Sequence, residues 1–183
     1  MKISALPVWV IVVFGLTGSM NAQNDKKVIG DAVFTTTEIA IGVDVLFLIR
    51  FENIGADTAF NIVVRDTLDP RFNAATFHMV DASHSYQLLH DQGFIRWYFN
   101  GIRLPSSDTE EEDNDNATGY LMYTVQPHRF LTAGQTIHNN ACISFDEETI
   151  CTNTATVWID GESEIEEAFD EKRIYRVVPN PNY

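Results

Sequence analysis

The chain has 183 residues and a formal net charge of −14. That balance excludes nucleic acid as a partner class, because phosphates would be repelled where proteins normally present a basic patch. The length left after a secretory segment, about 160 residues, suffices for one domain with a proper core and falls short of two.

The first 22 residues read as a signal peptide. Lys2 precedes an apolar run from Ala5 to Leu16, followed by the small and polar Thr17, Gly18 and Ser19. The run is about twelve residues, too short to cross a bilayer as a helix, and no later stretch approaches the roughly twenty required. The mature chain is therefore expected to be exported, secreted, surface-bound or periplasmic, with no membrane span once the signal is cleaved. Residues 23–27 are expected to be a leader linker and residues 28–160 the folded domain.

Strand patterns dominate from there on. A run from Ala32 to Ile41 is expected to be a strand. Val45, Phe47, Ile49 and Phe51 alternate with Leu46, Leu48, Arg50 and Glu52, apolar on both faces in the middle, as in a central strand. Turn chemistry at Asn53 to Asp57 leads to a second alternation in which Phe60, Ile62 and Val64 share one face against Asn61, Val63 and Arg65. Further runs cover Thr76 to Val80, Tyr86 to His90, Phe94 to Phe99, Tyr120 to Gln126, Thr136 to Phe145 and Ile150 to Ile159. Seven to nine short strands separated by Gly, Pro, Asn and Asp predict an all-β, immunoglobulin-like antiparallel sandwich. The absence of strand and helix alternation disfavours a parallel α/β sheet.

Two segments break the pattern. Ser106 to Asn116 reads SSDTEEEDNDN and is expected to lie in solvent. Glu162 to Arg173 is charged, with Ile165, Phe169 and Ile174 spaced as on a short exposed helix or linker.

The only cysteines are Cys142 and Cys151. In an oxidising compartment a disulfide is the leading reading, since C-x8-C without a second ligand pair is poor zinc spacing. Pairing them across a hairpin matches Ile143 with Ile150, Ser144 with Thr149 and Phe145 with Glu148, and brings the cysteines within reach of a bond. Asp146-Glu147 is a poor two-residue turn, so a longer loop with a bulge is expected.

The segment Ile49 to Pro70, which contains Asn53-Ile54-Gly55-Ala56-Asp57-Thr58-Ala59 and Asp66-Thr67-Leu68, resembles the immunoglobulin-like repeat domain of large secreted Bacteroidetes proteins. Phe99 to Pro105 is similar to that family's middle segment, and Ile137 to Phe145 with Thr152-Asn153-Thr154 to its last hairpin. The resemblance covers roughly residues 28–160 and implies a spacer or stalk near the end of a larger surface protein. It also implies that Thr58 and Thr67, in Asp-Thr-apolar triplets, are O-glycosylation sites. The tail Arg176 to Pro181 is similar to the opening of a type IX secretion sorting domain. Since a full one would run beyond Tyr183, residues 161–183 are expected to be an acidic linker with a truncated sorting tail.

Candidate chemistry is sparse. Asp108, Asp113 and Asp115 offer hard oxygen ligands, so calcium is the one cofactor the acidic loop would take, although the run lacks EF-hand spacing. Trp97 and Tyr98 lie in the densest aromatic cluster, and an exposed member would stack on a sugar ring. Ser83-His84-Ser85 is read as mere adjacency, because neighbours in a strand face opposite sides. No catalytic residues are expected. The reading is a non-catalytic, secreted or cell-surface structural or adhesive module meeting a protein or glycan partner, with a carbohydrate-binding or calcium-dependent lectin-like module as the alternative.

Overall fold

The computed structural model describes residues 24–107, 114–146 and 148–161. The signal-like segment, the middle of the acidic loop, and the charged segment and sorting-like tail from residue 162 onward lie outside the described residues.

The first strand begins earlier than the sequence suggests. β1 (Asp25–Ile29) occupies most of the stretch expected to be a linker and pairs antiparallel with β3 (Val45–Glu52). Asp25 and Arg50 lock that pairing with two hydrogen bonds, at 2.7 and 2.8 Å. Between them, the expected strand from Ala32 to Ile41 is divided. β2 (Val33–Thr35) runs into a short helix, α1 (Thr36–Ile41). The helix starts there because Thr35 and Glu38 form a capping box: the Thr35 hydroxyl accepts from the Glu38 amide and the Glu38 carboxylate accepts from the Thr35 amide. Gly42, at φ +93°, ends it in the left-handed conformation.

The remaining strands are β4 (Ala59–Thr67), β5 (Phe72–Ala82), β6 (Gln87–Asp91), β7 (Phe94–Leu104), β8 (Thr118–Pro127), β9 (Thr136–Asn139), β10 (Ala141–Phe145), β11 (Glu148–Cys151) and β12 (Ala155–Asp160). Twelve strands are described against seven to nine expected. Two of the predicted runs each split in two, at Asn140 and after Cys151, so that the chain can pass from one sheet to the next.

One sheet has the order β1-β3-β8-β5, a second β11-β10-β4-β7-β6, and a small third β2-β12-β9. All described pairings are antiparallel except β2 with β12. The sheets face one another over a single core of alternate side chains: Val45, Phe47, Ile49 and Phe51 from β3, Leu121, Tyr123 and Val125 from β8, Ile62 and Val64 from β4, and Ile95, Trp97 and Phe99 from β7. Burying alternate residues from both faces is what makes such a sandwich stable.

Two details show how tightly the sequence is fitted. At Gly119, a Cβ would come within 2.2 Å of the Phe51 ring, so only glycine lets β8 lie against that phenylalanine. On β4, the pairing slips between Ala59 and Asn61. At this irregularity Phe60 alone stands against Gly101, Ile102 and Arg103 of β7, and the strict alternation of β4 breaks, with Ala59 inside and Phe60 outside, 49 % exposed. The expected alignment of Phe60 with Ile62 and Val64 is thereby corrected.

Candidate functional site: a sealed polar cluster

Where the three sheets meet, the core contains four polar side chains. Lys26 comes from β1, Asp66 from β4, Tyr123 from β8 and Asn139 from the last position of β9, and none is more than 3 % exposed. Each occupies an inward position of its strand. Asp66 continues the buried series Ile62, Val64, and Tyr123 lies between Leu121 and Val125, while Asn139 follows Ile137 two residues on. Strand alternation alone therefore aims them at one point.

The contacts among them are dense. The Lys26 ammonium donates to Asp66 Oδ2 and, at 2.8 Å, to the Tyr123 hydroxyl. That hydroxyl donates in turn to Asp66 Oδ2 at 2.6 Å. From the other side, Asn139 Nδ2 donates to Asp66 Oδ1 at 3.0 Å and contacts the Tyr123 oxygen at 3.2 Å. The Asp66 carboxylate is thus bridged, with the lysine nitrogen on one oxygen and the carboxamide nitrogen on the other. Asn139 Oδ1 is left buried with no hydrogen-bond partner.

The backbone holds the lysine in place. Asn153 closes a pair of hydrogen bonds with the Lys26 main chain, accepting from its amide at 2.9 Å and donating to its carbonyl at 2.8 Å. Aromatic rings form the floor: Lys26 Nζ lies 4.6 Å from the Phe47 ring centre, and the Tyr123 ring packs against Phe47, Phe77 and Trp97 at 5.3 to 5.6 Å.

Electrostatics follow from the burial. Loss of solvent pushes the Lys26 amine below its ordinary value of 10.5, a shift opposed by the charge and hydrogen bond of Asp66. Tyr123 is held well above its ordinary value of 10.0, first by burial and then by the adjacent aspartate. The cluster therefore contains a lysine that gives up its proton more readily than usual, beside a phenol that keeps its own.

The residues singled out from the sequence fare differently. Cys142 and Cys151 form the disulfide, in the expected register with Ile143 opposite Ile150 and Ser144 opposite Thr149. The connection is nevertheless the short one, with Asp146 at φ +46°. Its carboxylate supports that conformation by accepting from the amides of Phe60 and Asn61, each at 3.0 Å, so no longer loop is needed.

Trp97 is fully buried, and its indole donates to Met79 Sδ at 3.0 Å. Trp97 is thus a core residue and has no face for a sugar, which corrects the stacking assignment. Tyr98 lies half-buried on the opposite face of β7. Asp108 and Asp113 lie outside the described residues, and Asp115 sits in a short 3-10 turn, Asn114–Ala117. At the start of the acidic loop, Ser106 is buried rather than in solvent. Thr58 and Thr67 are both exposed, but Asp66, the aspartate beside Thr67, points into the core.

Ser83 and His84 do meet, with Oγ and Nδ1 2.8 Å apart, because they lie in a bend and not in a strand. The Ser83 oxygen is already committed to the Tyr120 backbone, accepting from its amide and donating to its carbonyl.

Sequence reasoning passed over all four members of the core cluster. The signal was present, however, in the polar residues that fall on the apolar phase of a strand: Asp66 after Ile62 and Val64, and Asn139 after Ile137. Lys26 carries no such sign, because β1 is short and begins within residues 23–27, ahead of the first recognisable strand rhythm.

The fold and this sealed centre define an immunoglobulin-like β-sandwich domain. More particularly, the chain belongs to the family described as "Domain of unknown function (DUF7619)", whose model matches residues 22–158. No curated protein matches it. Among solved structures it is similar to the N-terminal domain of the Streptococcus gordonii adhesin Sgo0707, with 11 % identity and a TM-score of 0.51 over 76 % of this chain and 33 % of that one. It is likewise similar to the full-length major pilin SpaD from Corynebacterium diphtheriae, with 12 % identity and a TM-score of 0.50 over 75 % of this chain and 35 % of that one. The chain thus spans about a third of each of these two structures, and the likeness is one of fold.

Proposed function

We propose that this domain is a non-catalytic structural or adhesive module of an exported surface protein, a spacer that holds its shape while neighbouring segments or end loops make contacts. The observation that carries the reading is the sealing of Lys26, Asp66, Tyr123 and Asn139. The one dense cluster of ionisable groups described in the chain has no path to an outside substrate, whereas turnover needs reactive groups in a cleft. The signal-like first 22 residues support export, and the adhesin and pilin neighbours supply a fold of the kind such a role uses.

The test is to assay the purified chain against peptidase, esterase and glycosidase substrates. No turnover above that of a heat-denatured control is the expected result. A saturable activity that survives purification and disappears on a single polar substitution would overturn the proposal.

A further inference from the structure

We propose that Lys26 and Asn139 condense with one another inside the folded domain, joining Lys26 Nζ to Asn139 Cγ as an amide, with Asp66 relaying the protons and ammonia leaving. The inference goes beyond the structural role, since it assigns a self-modification to residues that no surface ligand can reach.

The geometry carries it. Nucleophile and leaving group rest on the two oxygens of one carboxylate: Lys26 Nζ on Oδ2, and Asn139 Nδ2 on Oδ1 at 3.0 Å. One group is thus placed to take a proton from the incoming nitrogen and to give one to the outgoing nitrogen, the arrangement general acid–base catalysis requires. Holding both reactants in a packed core converts a bimolecular reaction into an intramolecular one, which supplies a large share of the barrier. Exclusion of water removes the competing hydrolysis. Burial also favours the free amine, which is the nucleophilic form.

The step balances without any co-reactant. The ammonium gives one proton to Asp66, and the amine adds to Cγ to form a tetrahedral centre. A second proton of the same nitrogen travels through Asp66 to Nδ2, the C–N bond breaks, and ammonia departs. What remains is a secondary amide and a protonated Asp66. The products also resolve what is costly in the unreacted cluster. A buried ion pair becomes neutral groups, and the Asp66 hydroxyl becomes a donor for the carbonyl oxygen of Asn139, which otherwise has no partner. Tyr123, bonded to both Asp66 and Asn139, is a positioning residue.

Such a bond would join β1, where the described chain begins, to β9, the partner of β12, where it ends. Tension entering at one end and leaving at the other would bypass nearly the whole sandwich.

Mass spectrometry of the full chain, folded and with its disulfide reduced, tests this. The expected mass is lower than the sequence mass by one ammonia, and a tryptic digest should yield a branched peptide joining the Lys26 and Asn139 segments, uncut after Lys26. In N139D the expected loss is one water instead of one ammonia; in N139A and D66A the chain keeps its full mass and Lys26 its free amine. A wild-type chain that is folded with Lys26 unlinked overturns the proposal, as does an ammonia loss located at any other residue. Cross-linking that persists in D66A overturns the role of Asp66. Should D66A fail to fold, as judged by circular dichroism, the wild-type and N139D masses decide the matter.

Discussion

The chain is fastened at two places that differ in every physical respect. The Cys142–Cys151 disulfide lies at the rim, where it pins the outermost strand, β11, to β10 across a sequence separation of only 9. The Lys26 cluster lies at the centre and gathers strands from all three sheets, with Lys26 and Tyr123 97 residues apart. The rim bond secures a local hairpin. The central cluster ties the first strand, already paired with β3, to strands of the other two sheets.

The largest effect is therefore expected at the centre. Lys26→Ala leaves the Asp66 carboxylate buried without its cation, a change that costs about 3 to 5 kcal/mol where buried pairs are broken on one side. Lys27→Ala, one residue along and only half-buried, should stay within about 0.5 kcal/mol. Urea titration of the two variants measures the contrast. Equal stabilities would mean that the cluster contributes nothing to holding β1.

The intermediate effect belongs to the rim. Replacing both Cys142 and Cys151 by alanine should lower stability by about 2 to 3 kcal/mol, because so short a loop restricts the unfolded chain little. The fold should persist, since β10 remains paired with β4 from Ala141 to Phe145. Proteolysis would then sharpen the comparison, with new cuts confined to β11 and its flanks. Cleavage spread over β4 and β7 would show that the disulfide holds more than its own hairpin.

A small, steric effect separates packing from polarity. Gly119→Ala drives a methyl group into the Phe51 ring, and overpacking of this kind costs about 1 to 3 kcal/mol. Phe51→Leu, which vacates part of that space, should restore some of the loss when the two changes are combined. Additive losses in the double variant would place the strain elsewhere, and chemical denaturation of the three variants gives the answer.

How far the sequence reveals all this depends on where each feature's determinants lie. The period-two rhythm of β3 is local, so a central strand was legible from Val45 to Phe51. The cysteine register was legible too, because pairing 142 with 151 fixes every neighbour. The irregularity at Ala59 was not, since the extra residues lie on the partner strand, between Asn100 and Leu104, and nothing within β4 itself marks the change in which side Phe60 faces. The α1 capping box at Thr35 and Glu38 was readable in principle but was masked by the β-branched residues around it. The polar centre was the hardest, because its four members come from four strands and meet only once three sheets have closed. Each looks ordinary alone; only Asp66 and Asn139, out of character with their apolar phase, betray it.

The smallest expected effect is at the hairpin tip, and it is read through pH. Asp146 is held below its ordinary value of 3.8, chiefly because its carboxylate accepts from the Phe60 amide, with further bonds from Asn61. A carboxyl group depressed in the folded state stabilises it at pH values above the unfolded pKa, and that contribution disappears as pH falls through the lower folded value. Asp146 is almost fully solvated, so the effect is a modest shift of the acid unfolding midpoint and not a large energy. Asp146→Asn keeps the side-chain shape and an acceptor oxygen but removes the titration. Its acid limb should be shallower below pH 3.8 than that of the parent chain, with the two curves converging at lower pH, where the parent has lost its carboxylate as well. Coincident acid limbs would mean that the amides of Phe60 and Asn61 gain nothing from the charge, and that the turn's left-handed residue is held by strand pairing alone.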